Sequence, residues 1–383
     1  MRAFRIGDRS AEGSLRMEKN VTAKDIAEKL GISAASVSVA LSGKPGVSER
    51  TRMQVLTTAQ KLGYCPPRSS EPIRKPLCFL IYTDQSVGIA QETTFYTFVL
   101  KGVEDAAKDL GYHVLIRYYY AGLSFRSQMS DILDEISGLL ILGTDLTASR
   151  NGAVQELTDW AHYKIPVVII DNFIFSAYVD CVGNENLYGA KSAMSYLIDL
   201  GHRSFGYLRA KQRITNFDDR EHGLRMALRE HLGDGGAESM EIVHVDISAE
   251  KAYRDISVWL AAKKTLPSAL FAENDVIAAA AIRALRAAGK CVPEDVSVMG
   301  FDDLPLCEML DPTITTVHSF KEKLGTEAVR LLHQRILRGE DVQSAQVSGV
   351  MKLSMSTRIV ERGSVAWQRQ MPGTDGPEDI CLP

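Results

Sequence analysis

From Leu77 onward, short apolar runs alternate with amphipathic stretches. The runs "LCFLIY" (77–82), "HVLIRY" (113–118), "GLLILG" (138–143) and "PVVIID" (166–171) predict strands, followed by "SFGYL" (204–208), "EIVHV" (241–245), "ALFAE" (269–273) and "VSVMGFD" (296–302). Helical periodicity falls between them, at 95–110, 187–200, 219–232, 249–263 and 276–288. Strand–helix alternation of this kind predicts doubly wound parallel sheets with helices on both faces, an α/β body.

The first 63 residues follow another pattern. Thr22 is placed to cap a helix, with Asp25 three residues on, and Ile26, Ala27 and Leu30 share one face. Gly31 supplies a left-handed stop. Ser33 caps a second helix, 34–42, whose inner face is Val37, Ala40 and Leu41. Ser48 caps a third that runs to Gly63, with Val55, Ala59 and Leu62 turned inward. Two short helices joined at a Gly turn and closed by a third predict an all-α helix-turn-helix unit.

The outward positions suggest what that unit touches. Ser33, Ser36, Ser38 and Ser42 offer hydroxyls to phosphates, and Ala34, Ala35 and Val39 are small or apolar enough to meet thymine methyls in a major groove. Lys44, Arg50 and Arg52 add attraction for any polyanion. With Thr22, Ser48 and Thr51 these residues form the candidate DNA-contacting set. The bland alternative is a structural bundle whose serines only cap helices.

Charge sharpens the picture once it is divided. Residues 1–75 hold 14 Lys and Arg against 7 Asp and Glu, a charge of +7, which leaves 30 basic and 41 acidic residues, −11, for the rest. A basic head on an acidic body points to a polyanion met by the head alone. No apolar run approaches the 18 or more residues of a membrane helix, and residues 1–16 lack the apolar core of a secretory signal, so a cytoplasmic protein is expected. Six cysteines without CxxC or Cys/His spacing read as reduced thiols.

Ligands of doubly wound sheets bind beyond the carboxyl ends of the strands. Those ends carry Asp84, Asp171-Asn172, Asn274-Asp275 and Asp302-Asp303, with Phe95-Tyr96, Phe173, Phe175 and Phe217 near in sequence. Carboxylates and amides to accept hydroxyl protons, with rings to stack on C–H faces, suit a polyhydroxy ligand. For any one of these acids the competing role is a helix cap. "GNENLYGAKS" (183–192) is no phosphate loop, because Ala190 separates the Gly from Lys191. His202 reads as a surface-loop histidine, and His244 and His318 lack partners at metal spacing. No catalytic pair, metal site or cofactor loop is found.

The stretch "VTAKDIAEKLGISAASVSVALSGKPGVSERTR" with "AQKLGYCP" resembles the headpiece of the lactose-repressor/galactose-repressor (LacI/GalR) family of bacterial transcription regulators. "VGNENLYGAKSAMSYLIDLGHRSFGYL", "FAENDVIAAAAIRALRAAGKCVPEDVSVMGFDD" and "PTITTVHSFKEKLGTEAV" are similar to that family's effector-binding domain. The resemblance implies a body with the type I periplasmic-binding-protein fold, two α/β subdomains with ligand between them. It places the first subdomain at about 77–173 and 318–338 and the second at about 174–317 and 339–362. It carries effector contacts onto Phe95, Tyr96, Asp171, Arg220, Asn274 and Asp302. Arg213, Asn216 and Phe217 join them from "KQRITNFDDR", the pocket loop. It further implies a homodimer on a pseudo-palindromic operator, most often a repressor, controlled by a sugar or sugar derivative, with a purine or amino acid as the other ligand classes.

The linker departs from the family pattern. In "YCPPRSSEPIRKP" (64–76) Pro67 stands where Asn is usual and Ser70-Glu71 replaces an Ala-Arg pair. Pro72 opposes a short hinge helix by about 3 kcal/mol. Ile73 falls at the position of the leucine that wedges into the minor groove, and an extended tether is the other reading. Residues 1–20 read as a disordered extension or a miscalled start, and 363–383 as a disordered tail. Two other classes stand beside the regulator: a sugar receptor feeding a transporter, and an enzyme on a doubly wound sheet.

Overall fold

The computed structural model describes residues 21–41, 46–62, 64, 74–84, 86, 88, 94–146 and 164–368. The chain divides into two separately compact units, Met1–Ile73 and Arg74–Pro383. The linker positions 65–73, Ile73 included, lie outside the described residues, as do Ser42, Lys44 and residues 1–20.

In the first unit α1 spans Ala23–Leu30, α2 Ala34–Leu41 and α3 Glu49–Leu62. Each helix begins at a hydroxyl cap. Thr22 and Asp25 form a reciprocal capping box, the Thr22 N–H donating to Asp25 Oδ2 at 2.6 Å. The Ser36 N–H donates to Ser33 Oγ at 3.0 Å and the Thr51 N–H to Ser48 Oγ at 3.1 Å. Gly31, at φ 65°, ends α1 with its N–H on the Ala27 and Glu28 carbonyls. Ile26, Ala27, Val37, Ala40, Val55 and Ala59 form the core, with Leu30, Leu41 and Leu62 packed against it. Each large aliphatic side chain buried there contributes about 2 kcal/mol.

The second unit holds two six-stranded sheets. The first runs, in order, Lys352–Met355, Asp180–Asn184, Val167–Ile170, Gly138–Leu142, Leu77–Thr83 and Val114–Tyr120, and the second Arg358–Val360, Thr315–His318, Ser297–Asp302, Ala269–Ala272, Phe205–Ala210 and Glu241–Val245. Numbering only the longer helices, the chain runs β1 (Leu77–Thr83), α4 (Phe95–Asp109), β2 (Val114–Tyr120), β3 (Gly138–Leu142), β4 (Val167–Ile170) and β5 (Asp180–Asn184). It continues through α5 (Asn186–Asp199), β6 (Phe205–Ala210), α6 (Thr215–Leu232), β7 (Glu241–Val245), α7 (Ala249–Ala261) and β8 (Ala269–Ala272). Then come α8 (Asp275–Ala287), β9 (Ser297–Asp302), β10 (Thr315–His318), α9 (Lys321–Arg338), β11 (Lys352–Met355) and β12 (Arg358–Val360). All pairings are parallel except β10 with β12.

The chain crosses between the sheets three times: after Asn184, after His318 and after Met355. The first and third crossings correct the expected subdomain limits. Residues 180–184 and 352–355, expected in the second subdomain, are hydrogen-bonded neighbours in the first sheet. Asp180 is held there by buried Arg335 of α9, through Nε at 2.7 Å and Nη2 at 2.9 Å. Helices α4 and α9 cover one face of that sheet, with Val99, Val103, Leu324 and Leu332 in its core. Their backbones approach so closely that a Cβ on Gly102 would meet the Glu322 carbonyl, and one on Gly325 the Val99 carbonyl.

Other expectations also shift. Residues 363–368 are ordered against the second sheet rather than belonging to a loose tail. Ser364 is fully buried, its Oγ donating to the Val298 carbonyl at 2.6 Å and accepting from the Thr315 N–H at 2.8 Å. His202 is buried rather than on a surface loop, bonded to Ser268 Oγ and the Ala366 carbonyl, each at 3.0 Å. Burial lowers its pKa. Cys78, Cys181 and Cys307 are free and buried, whereas Cys291 is disulfide-bonded, against the expectation of six reduced thiols. Among the described residues no helix is long and apolar enough to cross a membrane.

Candidate functional site

A cleft of about 410 Å³, part of it open to solvent, lies at the carboxyl ends of the strands. Eight of the nine expected effector residues line it: Phe95 and Tyr96 at the start of α4, Asp171 after β4, Asn216, Phe217 and Arg220 on α6, Asn274 after β8, and Asp302 ending β9. Leu142, Thr144 and Ile214, which the sequence reasoning missed, complete the wall. Thr144 follows β3 by two residues, so the strand-end rule could have found it.

Arg220 is the organising group. Its Nε donates to Asn186 Oδ1 at 2.9 Å, its Nη2 to Asp302 Oδ1 at 3.1 Å, and its Nη1 to the Glu273 carbonyl. Those contacts engage three of the five N–H groups of a guanidinium. Its plane lies 3.7 Å from the Phe301 ring centroid and 5.5 Å from that of Phe217. Arg220 is thus fixed before any ligand arrives.

Asp171 faces it from the other subdomain. Thr144 donates to Asp171 Oδ2 at 2.7 Å, and Asn216 Nδ2 reaches across to the Asp171 carbonyl at 3.0 Å. Burial pushes the Asp171 carboxyl up to about 7, with the Thr144 hydrogen bond opposing and the nearby Asp302 charge reinforcing it. Asp302 is also raised by burial, against the pull of Arg220 and Lys321. Both aspartates have left-handed backbones, φ 64° and 106°. Non-glycine residues in such regions carry about 1–3 kcal/mol of strain each and concentrate at functional sites. The cleft therefore offers acceptors, one clamped cation and aromatic faces.

Arg213 does not line the cleft. Its guanidinium pairs with fully buried Glu273 and with Asp218 at 2.8 Å, and it lies 5.8 Å from the Phe217 ring. Glu273 also accepts from the Tyr207 hydroxyl and from the Ala210 N–H at 2.6 Å. Arg213 braces the cleft wall, because a buried carboxylate needs a partner. Asn274 lines the cleft while its Oδ1 caps α8, accepting from the Ile277 N–H at 2.9 Å, so both readings of a strand-end polar residue hold at once. His318 pairs with Asp303 at 2.7 Å. Among the described residues no cluster of His, Cys, Asp or Glu could hold a metal.

In the first unit Ser33, Ala34, Ala35 and Ser38 are exposed along the start and outer face of α2, and Ser36 and Val39 are half-buried. Ser33 and Ser36 share a hydrogen bond of 2.9 Å, as do Ser48 and Thr51 at 2.8 Å. Thr22 is exposed beside its own capping box. Arg52 Nη1 donates to the Ala40 carbonyl at 3.1 Å, near the negative end of α2, and keeps its positive charge.

Residues 22–67 match the family model of bacterial regulatory proteins, lacI family, and residues 194–365 that of a periplasmic binding protein-like domain. The chain is similar to the HTH-type transcriptional repressor PurR of Photobacterium profundum, 28% identical over 319 residues, 82% of this chain and 92% of that one. Among solved structures it is similar to the transcriptional regulator CelR–cellobiose complex, 25% identical, covering 90% of this chain and 100% of that one, TM-score 0.62. The lac repressor dimer bound to operator and the anti-inducer ONPF shares the fold, at 21% identity, 91% and 100% coverage and TM-score 0.61.

Proposed function

The chain belongs to the lacI family of bacterial regulatory proteins, a DNA-binding transcriptional regulator and not an enzyme, and from that premise we propose that it is a homodimeric repressor controlled by a carbohydrate in its cleft. The observation that carries the ligand class is the convergence of Asp171, Asp302, Asn216, Asn274 and clamped Arg220 with Phe95, Tyr96 and Phe217 on one cleft. Carboxylate and amide oxygens accept from ring hydroxyls, the free N–H groups of Arg220 donate to them, and the aromatic faces meet C–H surface. The cellobiose held by the CelR relative supports this class.

Each headpiece would set α2 into a major groove at one half of a pseudo-palindromic site, with Ser33, Ala34, Ala35, Ser36, Ser38 and Val39 toward the bases and phosphates. Ser48 and Thr51 would extend that surface; Ser42, Lys44 and Ile73, the candidate wedge in the minor groove, complete the proposed contact set and lie outside the described residues. The two-fold partner is a second copy. Edge strand β2 exposes Leu115, Ile116, Tyr118 and Tyr120, with Leu123 beside them, an apolar band that a monomer would leave in water. The protein would work in the cytoplasm, at the nucleoid when on its operator.

Footprinting on the DNA upstream of its own gene tests this reading. Monosaccharides, disaccharides, purine bases and amino acids are each added in turn. A two-fold symmetric footprint lifted by one saccharide is expected. A footprint moved only by a purine or an amino acid replaces the ligand class, and one strengthened by the saccharide replaces repressor release with co-repression.

A further inference from the structure

The residue at which the linker joins the body is held by a hydrogen-bonded chain that the effector cleft does not use. Arg74 Nη1 donates to Tyr112 Oη at 3.1 Å, and that hydroxyl lies 2.9 Å from His333 Nδ1. Arg74 Nη1 is itself 3.4 Å from His333 Nδ1. The guanidinium sits 5.1 Å from the Tyr112 ring centroid, and the imidazole meets that ring edge-on at 5.6 Å. Tyr112 is buried, so its hydroxyl has little water to fall back on.

The two halves of this clasp stand at the far ends of the two helices whose near ends meet the cleft. Tyr112 follows α4, which opens with the cleft residues Phe95 and Tyr96. His333 lies on α9, whose first residue, Lys321, donates its ammonium to the Asp302 carbonyl and, at 3.1 Å, to that of Asp303. Twelve helical residues separate Lys321 from His333, roughly 18 Å at 1.5 Å per residue. Because α4 and α9 touch backbone to backbone at Gly102 and Gly325, the clasp and the cleft-facing helix ends belong to one closely packed helix pair.

We propose that the Tyr112–His333 pair positions Arg74, the first residue of the body, so that an intact clasp is required for tight operator binding. The inference rests on the reading of the chain as a DNA-binding regulator. A guanidinium N–H can only donate, so the approach of Arg74 Nη1 to His333 Nδ1 makes that nitrogen an acceptor, unprotonated, to which the Tyr112 hydroxyl can also donate. A protonated imidazole would set two cations on one phenol oxygen. The groups facing His333 are Arg74 and Tyr112, and Arg330, one turn earlier on α9, is taken up by Glu327 at 2.7 Å. Burial and the Arg74 charge lower the His333 pKa. A lowered histidine favours the neutral form in the folded state, so the clasp stays whole through the ordinary histidine range and weakens as pH falls below it. No histidine lies in residues 1–75, so the headpiece adds no histidine titration of its own.

The test uses the full chain and a duplex that the wild type selects from a random-sequence pool, with affinity measured from pH 5.5 to 8.5. Tyr112→Phe removes one hydroxyl and keeps the ring. His333→Leu removes the acceptor, and His333→Asn restores a neutral acceptor that does not titrate. At pH 7.5, Tyr112→Phe and His333→Leu are expected to bind about fivefold or more weakly. His333→Asn stays near wild type there and loses the fall in affinity that wild type shows toward low pH. Wild-type affinity in Tyr112→Phe at every pH, or a His333→Asn profile superposing on wild type, overturns the proposal while leaving the regulator intact. Failure of the wild type to select any duplex overturns the regulator reading and the clasp with it.

Discussion

Asp171 joins a left-handed backbone and a buried carboxyl at the wall of the cleft. Its carboxyl is held at about 7, above its unfolded value, by burial. A carboxylate raised in this way costs stability when it ionises, so the unliganded body loses stability as pH rises from about 4 through 7. Ligand hydroxyls donating to Asp171 favour the ionised form, and effector affinity should therefore rise over the same interval. Asp171→Asn is expected to melt a few degrees higher than wild type at pH 8 without ligand, since about 1 kcal/mol moves the midpoint 2–4 °C in a body of this size. The same variant should lose most of its effector-induced thermal shift. A variant that melts lower and keeps the full shift would remove Asp171 from the recognition set.

At the scale of elements, local chemistry decides most of the architecture. Thr22→Ala deletes the hydroxyl half of the α1 capping box, leaving the backbone N–H on Asp25, and is expected to cost the headpiece about 1 kcal/mol, read as an earlier loss of DNA binding on heating. The apolar runs of β1, β3, β4, β8 and β9 stood out in the sequence because buried parallel strands are near-continuous Val, Ile and Leu. β5 did not, because "DCVGN" carries the polar ends and glycine of a turn. Its place depends on Asp180 meeting Arg335, 155 positions along the chain. The cleft was legible where its residues sit at strand ends, and Arg213 was misplaced because its partner Glu273 is one position before the strand-end Asn274. Ser364 and His202 were misread for a similar reason: their partners, Val298, Thr315, Ser268 and Ala366, are distant or unpatterned in sequence.

In the proposed function, ligand in an acidic body controls a basic headpiece. In the proposed dimer the apolar β2 edge is covered by its twin, so Ile116→Lys is expected to shift the sedimentation mass from dimer toward monomer and weaken operator binding. Retention of the dimer would send the two-fold contact elsewhere. The central claim is that the cleft and the DNA surface are linked, and linkage is reciprocal: the factor by which a saccharide weakens operator binding must equal the factor by which operator weakens saccharide binding. The most direct measurement is the saccharide Kd by calorimetry for the protein alone and for the protein saturated with its duplex. The account predicts weaker binding to the complex by roughly 5- to 150-fold, matched by the loss of operator affinity at saturating saccharide. Equal saccharide affinity in the two states would contradict it, leaving a ligand-binding body that does not control the headpiece.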